Sequence, residues 1–152
     1  MVVHAPSNAG LKGSELIADV MRRLHDEGLV EYREVRGVPA SDMPALYGDA
    51  DIVLDQFALG IYGVATCEAL AAGRLVISHV GEQTREHVRR ATGLDLPVVE
   101  TRASGLEQLL REVVATPDRF RAIAAGGPGF VREVHDGRRA AAVLADFLGA
   151  AR

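Results

Sequence analysis

Lys12 is the only lysine in the sequence, and the other 16 of its 17 basic residues are arginine. It lies in the segment 7–14, Ser-Asn-Ala-Gly-Leu-Lys-Gly-Ser, which separates a short apolar run from an amphipathic stretch. Gly10 and Gly13 let the backbone approach a ligand closely, and the start of a helix offers free N–H groups. The segment predicts an anion site suited to phosphate, although it lacks both the Gly-x-Gly-x-x-Gly and the Gly-Lys-Ser/Thr motifs. The alternative is an ordinary turn between a strand and a helix.

A second segment whose residues could bind a ligand, 55–63, follows a short apolar run. It contains Gly60 and Gly63 on either side of a tyrosine. Glu68 lies five residues beyond Gly63, in a predicted helix whose other residues are small or apolar. A carboxylate among such neighbours needs a hydrogen-bonding partner if it is buried. The alternative is a solvated glutamate on the outer face of the helix.

Two histidines lie close to these segments. His79, in the third loop 78–82, is a candidate ligand or base, although a single loop histidine more often has neither role. His4 is predicted to be a strand residue near the site rather than a catalyst.

The elements that position these residues follow from hydrophobic periodicity, because short apolar runs alternate with longer amphipathic stretches. The predicted strands are 2–5, 30–35 at an edge, 52–54, 75–77 and 97–99. The predicted helices are 15–24, 41–46, 64–72, 82–91, 106–115, 118–125, 130–134 and 140–148, with an interruption at the glycine-rich 126–129 and a cap at Asp136.

This alternation of strands and helices implies right-handed crossovers and a parallel sheet that is covered on both faces. We therefore predict one domain over residues 1–152 with an α/β fold: a Rossmann-like sandwich with a mostly parallel sheet, helices on both faces and a helical C-terminal tail. Ligands of such sheets bind beyond the carboxyl ends of the strands, where all three segments above lie. A chain of 152 residues can bury enough surface to fold without a disulfide or a metal.

Composition excludes several classes of function. The net charge of −4, without a basic block, argues against a nucleic-acid partner. Cys67 is the only cysteine, so it forms no intramolecular disulfide, and a reducing cytoplasmic compartment is predicted. No apolar run approaches the roughly 18 residues of a membrane span, and the N-terminus lacks the features of a secretory signal.

Three segments carry a resemblance to a known family. They are Ala5-Pro6-Ser7-Asn8 followed by Lys12-Gly13-Ser14; Tyr47 and Asp51-Ile52-Val53 leading into Asp55-Gln56 and Gly60-Ile61-Tyr62-Gly63; and Glu68-Ala69-Leu70-Ala71-Ala72-Gly73-Arg74-Leu75-Val76-Ile77. The chain resembles the C-terminal, donor-binding half of a two-domain glycosyltransferase of the GT-B fold, in the large retaining class often called family 4. The Glu-Ala-x-Ala-x-Gly-x-x-Val-Ile run is the most specific part, and the resemblance covers nearly the whole chain.

The resemblance implies a role for each site residue. Lys12 would contact the diphosphate of a nucleotide sugar as the catalytic residue, and Glu68 would hold the ribose hydroxyls. The implied donor-binding set is Ser7, Asn8, Lys12, Gly13, Gly60, Ile61, Tyr62, Gly63, Val64 and Glu68. Two positions depart from the family pattern: Gly60 replaces a second glutamate that touches the sugar, and Ala9 replaces an arginine near the lysine.

The implied activity is transfer of a glycosyl group from a nucleotide diphosphate sugar to an acceptor hydroxyl, with retained configuration and without a metal or cofactor. The acceptor site would belong to an N-terminal domain outside these residues, so this chain alone is expected to be inactive. The resemblance implies a cytoplasmic location and leaves peripheral membrane association of the full-length protein open. Two alternatives stay open: half of a nucleotide-sugar epimerase, and a non-catalytic α/β assembly module.

Overall fold

The computed structural model describes residues 1–149, and the last three residues of the predicted domain, 150–152, lie outside them. Five parallel strands form one sheet in the order β2-β1-β3-β4-β5. The strands are β1 (Val2–His4), β2 (Tyr32–Glu34), β3 (Ile52–Leu54), β4 (Leu75–Ser78) and β5 (Val99–Glu100). This order places the carboxyl ends of β1, β3 and β4 side by side, where the predicted ligand segments begin.

Nine helices connect or follow the strands within the described part of the chain. They are α1 (Ala9–Lys12), α2 (Ser14–Asp26), α3 (Met43–Asp49), α4 (Val64–Ala71), α5 (Glu82–Thr92), α6 (Leu106–Ala115), α7 (Pro117–Ala125), α8 (Gly127–Val134) and α9 (Arg138–Phe147). A 3₁₀ turn, Ala103–Gly105, precedes α6. The predicted Rossmann-like α/β sandwich with a helical C-terminal end is thus confirmed.

The sheet is covered on both faces because consecutive strand residues point to opposite sides. Val2, Ile52 and Leu75 belong to a core that α2, α6 and α7 complete. Their neighbours Val3, Val53 and Val76 belong to a second core with α3, α4, α5 and α8. Burial on both faces explains why these strands are continuous apolar runs. The predicted edge strand is β2, whose residues are largely exposed.

The segment 7–14, predicted as a loop, contains the short helix α1. The Asn8 side chain caps this helix, since its Oδ1 accepts a hydrogen bond from the Leu11 amide at 3.0 Å. Gly13 ends it with a φ of 70°, and α2 begins at the next residue. A helix of four residues is too short to show an amphipathic period, which is why the sequence pattern did not indicate it.

The C-terminal region also differs in detail from the prediction. The glycine-rich segment 126–129 does not interrupt the helices over its whole length, because α8 already begins at Gly127 and accommodates Pro128 in its first turn. The last helix begins at Arg138, and Gly137 rather than Asp136 is its N-cap. Asp136 still supports that start, since its Oδ1 accepts from the Arg138 amide at 3.0 Å.

Candidate functional site

A groove of about 420 Å³ lies beside the carboxyl ends of β1 and β3, where the sequence predicts ligand binding. Four of the ten predicted donor-binding residues line it: Ser7, Lys12, Val64 and Glu68. The rest of its wall comes from Ala5, Pro6, Val35, Gly37, Val38, Ala40, Met43, Tyr47 and Ala65. The groove therefore joins the first and second predicted segments into one site.

Lys12 is turned towards a buried acid that the sequence did not assign to it. Its ammonium forms an ion pair with Asp55 Oδ1, and the two side chains are 17% and 1% exposed. The other carboxylate oxygen of Asp55 accepts a hydrogen bond from Thr66 Oγ1 at 2.6 Å. An ammonium group has three N–H donors, so this pairing leaves up to two of them for a ligand in the groove.

The N-terminus of α4 offers a second electropositive feature. Its first-turn N–H groups have no acceptor within the helix, and Gly63, the N-cap, has no side chain that could supply one. Val64 and Ala65 of this turn line the groove together with Lys12. The partial positive charge of a helix N-terminus favours anions. A phosphate group in the groove would thus meet both a cation and free amide donors.

Glu68 is exposed and lies one turn further along α4, on the groove wall. Its side chain makes no hydrogen bond or ion pair with any residue in 1–149. Of the two sequence-based alternatives, the solvated glutamate is the one observed, yet this residue still belongs to the groove. Its two carboxylate oxygens can each accept a hydroxyl, which is the geometry that a vicinal diol needs.

Tyr47 is a groove residue that carries part of the family resemblance but was given no role at the site. Its side chain in α3 is only 1% exposed, and its hydroxyl has no hydrogen-bond partner within the described residues. Burial, together with the negative charges of Glu68 and Asp55, raises the pKa of Tyr47 above its usual value. The hydroxyl therefore stays protonated at the wall of the groove. The predicted helix 41–46 ends just before this residue, and nothing in the sequence distinguishes its hydroxyl.

The glycine loop, residues 56–63, crosses from the end of β3 to the start of α4 and is held by Gln56. The side-chain Nε2 of Gln56 donates to the Ile61 carbonyl at 2.5 Å. Its side-chain Oε1 accepts from the backbone amide of Leu59 at 3.1 Å. The Gly60 carbonyl accepts from the Gly81 amide at 2.8 Å, which ties the loop to the end of β4. Gly60 has a φ of 70°, a conformation that glycine adopts without strain.

Tyr62 in the glycine loop contacts the end of α8 rather than the groove. Its hydroxyl lies 3.2 Å from His135 Nε2, and the two rings meet edge to face with centroids 5.7 Å apart. Partial burial lowers the pKa of His135, which favours a neutral ring whose Nε2 can accept a hydrogen bond from the tyrosine hydroxyl. The side chain of Tyr62 thus attaches the glycine loop to the end of α8.

Gly13 and Asn8 do not line the groove and have structural tasks beside it. A Cβ at Gly13 would lie 3.1 Å from the Ala58 amide nitrogen, so only glycine allows this approach to the glycine loop. The Phe57 amide donates to the Lys12 carbonyl at 2.8 Å, which fixes the same contact. Asn8 uses its side chain as the α1 cap.

His4 lies in the core, as the sequence predicts for a strand residue near the site. Its Nδ1 lies 2.8 Å from the Leu54 carbonyl oxygen and its Nε2 lies 2.8 Å from Ser14 Oγ. Burial lowers the pKa of His4. His4 therefore joins β1, β3 and the start of α2 beneath the groove and does not face a ligand.

A larger cavity of about 590 Å³ opens at the opposite end of the sheet, among residues such as Met1, Asp51 and Arg74. None of the predicted site residues lines it. Ligands of open α/β sheets bind at the carboxyl ends of the strands, so the smaller groove is the better candidate site.

No protein-family model and no curated protein matches this chain. Three solved structures of HepE from Anabaena share its fold: the complex with UDP-glucose (TM-score 0.66, 15% identity), with UDP and glucose (0.70, 15%) and with UDP (0.67, 16%). Each match covers 99% of this chain but only 49%, 48% and 49% of the respective HepE chain. The chain thus spans about half the length of these structures.

Proposed function

We propose that this chain is the donor-binding domain of a retaining glycosyltransferase of the GT-B fold, as its resemblance to family 4 implies. The observation that carries the proposal is the groove, which combines the Lys12 cation, the free N-terminus of α4 and the solvated Glu68 carboxylate. A nucleotide diphosphate sugar presents the complementary groups, namely phosphates and a ribose diol. The shared fold with HepE, solved with UDP-glucose, supports the same class of ligand.

In this proposal the diphosphate binds between Lys12 and the first turn of α4, at Val64. Lys12 is the catalytic residue, because its charge and the helix N–H groups stabilise the departing diphosphate electrostatically. Ser7 and the backbone of Asn8 and Gly13 complete the phosphate-binding side, and the backbone of the glycine loop (Gly60, Ile61, Tyr62 and Gly63) faces the sugar. Glu68 accepts hydrogen bonds from the ribose hydroxyls. No metal and no cofactor has a role.

We further propose that an N-terminal domain supplies the acceptor site. Catalysis then depends on holding donor and acceptor in reactive geometry, which contributes roughly 7–11 kcal/mol to barrier lowering. This chain by itself is therefore expected to bind the donor without transferring sugar. A cytoplasmic location is part of the same proposal. Within residues 1–149, no helix has the length and hydrophobicity required to cross a membrane.

Calorimetry with a panel of nucleoside diphosphates tests the proposed function. We expect Glu68→Ala to lower affinity by about one to two decades, because a lost hydrogen bond to a charged group is worth about 1.5–3 kcal/mol. The variant should also lose most of the preference for ribonucleotides over 2′,3′-dideoxynucleotides.

The matched control is Glu86→Ala, which removes an exposed glutamate of α5 that does not line the groove. This variant should bind as the unmodified chain does. Absence of nucleoside diphosphate binding would reject the donor-domain proposal in favour of a non-catalytic module. Binding with unchanged ribose discrimination would reject the role of Glu68 alone.

A further inference from the structure

His79 is a partly buried histidine just after the carboxyl end of β4 that the proposed function does not use. Its side chain is only 11% exposed, and its backbone amide donates to the Gln56 carbonyl at 2.7 Å. Gln56 also holds the glycine loop, as described above. The imidazole is therefore fixed relative to that loop.

Glu100 orients the ring of His79. The Nδ1 atom of His79 lies 2.8 Å from Glu100 Oε1, across the pair of strands β4 and β5. An ionised carboxylate only accepts hydrogen bonds, so Nδ1 carries the proton in the neutral ring and Nε2 presents its lone pair. This tautomer makes Nε2 a hydrogen-bond acceptor.

Nε2 of His79 is directed at the edge of the glycine loop and has no hydrogen-bond partner among residues 1–149. A Cβ built on Gly60 would lie 3.4 Å from it. Because residue 60 is glycine, no side chain at that position covers this nitrogen. The structure thus has an oriented acceptor, without a partner among residues 1–149, beside Gly60 of the glycine loop.

The sheet order determines which part of a ligand could reach this nitrogen. Lys12 follows β1, and His79 follows β4, with β3 between them. Two strand spacings amount to about 10 Å. With the ribose at Glu68 and the diphosphate at Lys12 and the first turn of α4, the group beyond the diphosphate extends across the glycine loop towards β4. That group is the sugar.

We propose that His79 Nε2 accepts a hydrogen bond from a hydroxyl of the donor sugar, with Glu100 as the positioning residue. This inference rests on the proposed function and adds a sugar-specific contact to it. Because the contact involves the sugar alone, it distinguishes a nucleotide sugar from the corresponding nucleoside diphosphate.

The test is calorimetry on the full chain with ADP, GDP, UDP and dTDP, each beside its glucose conjugate. For the pair that binds, we expect His79→Phe to lower the affinity for the glucose conjugate by about three- to tenfold, the range of one neutral hydrogen bond. Affinity for the diphosphate alone should stay within about twofold. His87→Phe, which changes an exposed histidine of α5, is the matched control and should leave both affinities unchanged.

A measurement without substitution complements this test in case His79→Phe does not fold. In ¹⁵N spectra of histidine side chains, the glucose conjugate should shift the Nε2 resonance of His79, and the diphosphate alone should not. Equal loss for both ligands in His79→Phe, or an unmoved Nε2 resonance with bound glucose conjugate, would overturn the sugar contact while leaving the proposed function intact. Absence of binding to any ligand of the panel would reject both.

Discussion

Lys12 and Asp55 depend on each other, because Asp55 is buried and Lys12 is its cation. Removing one member of a buried ion pair leaves an uncompensated charge, which costs about 3–5 kcal/mol. Thr66 alone would then face the carboxylate. From the sequence alone, where Lys12 lies in a glycine-bracketed loop, Lys12→Ala is expected to weaken phosphate binding and hardly affect folding. The buried ion pair leads us to expect a clear loss of stability instead.

Urea denaturation should show that Lys12→Met lowers the free energy of unfolding by about 3 kcal/mol or more. The double variant Lys12→Met, Asp55→Asn should recover much of this loss, because asparagine removes the charge and still accepts from Thr66. Arg22→Met, which removes an exposed ion pair with Asp19, should stay within about 1 kcal/mol of the unmodified chain. A Lys12→Met variant as stable as this control would contradict the buried pair.

The double variant also separates folding from binding. It should fold and yet bind nucleoside diphosphates about one to two decades more weakly, since a charge-assisted contact to phosphate contributes roughly 1.5–3 kcal/mol. Calorimetry on the folded double variant measures this directly. Undiminished affinity would show that Lys12 serves only the core.

His4 should make stability depend on pH. Its folded-state pKa is lowered by burial, so the unfolded chain binds a proton more readily. The stabilising contribution of the neutral ring is fully present above the unfolded pKa of about 6.5 and is lost as the pH falls below it. The loss approaches about 1.4 kcal/mol per pH unit until the folded-state pKa is reached.

Denaturation between pH 8 and pH 5 checks this expectation, with His4→Gln as the comparison. The variant should show a smaller decrease of unfolding free energy below pH 6.5 than the unmodified chain. Partial burial lowers the pKa of His135 in the same direction, so some decrease should persist in the variant. Identical pH profiles would exclude His4 as a source of acid sensitivity.

The sequence predicts part of this site for a clear physical reason. Loops after parallel strands converge at one edge of the sheet, so Lys12, Val64 and Glu68 could be expected to lie close together. The partners Asp55 and Tyr47 could not be inferred in the same way. Whether a side chain 43 residues away turns inwards to meet Lys12 depends on packing in three dimensions, which periodicity does not encode.

Among the elements, α8 packs against α4 and so fixes the helix that carries Val64 and Glu68 of the groove. Gly127 at the start of α8 lies directly on α4, where a Cβ would approach the Leu70 carbonyl oxygen to 2.6 Å. Such a distance to backbone cannot be relieved by rotating a side chain. One of the two helices would have to move, and α4 carries both Val64 and Glu68.

Gly127→Ala should therefore destabilise the chain by about 1–3 kcal/mol, the usual cost of overpacking. Gly129→Ala in the same helix is the matched control, because nothing lies within 4 Å of its added Cβ. That control should be neutral or stabilise by about 0.4–1 kcal/mol through lower entropy of the unfolded chain. Thermal denaturation that ranks the two variants in the opposite order would contradict the close packing of α4 and α8.

The sequence predicts elements well where burial imposes a pattern and less well where local geometry decides. The strand β3 was predicted with its observed bounds because it is an apolar run buried on both faces. The helix predicted over 130–134 begins later than the observed α8, because Gly127 and Pro128 suggest a break. Tertiary packing on Leu70 requires a glycine at position 127. Tertiary contact thus outweighs helix propensity in this segment.

For the molecule as a whole, α9 stands out as a ten-residue helix in which no residue is buried. Its apolar residues are largely exposed, including Val143 at 71% and Phe147 at 83%. Arg139 holds the start of the helix through hydrogen bonds to the carbonyls of Thr92 and Glu133.

A chain that spans about half the length of the structures it matches is consistent with our proposal of a second domain.

Binding of a nucleotide diphosphate sugar at the carboxyl end of the sheet can be mapped by backbone NMR of the ¹⁵N-labelled chain. Titration with the nucleoside diphosphate that binds should perturb the amides of Lys12, Gly13, Val64 and Glu68, together with the glycine loop. The cavity at the opposite end of the sheet, beside Asp51 and Arg74, should stay unperturbed. Perturbations confined to that cavity, or none with any nucleoside diphosphate, would contradict the account.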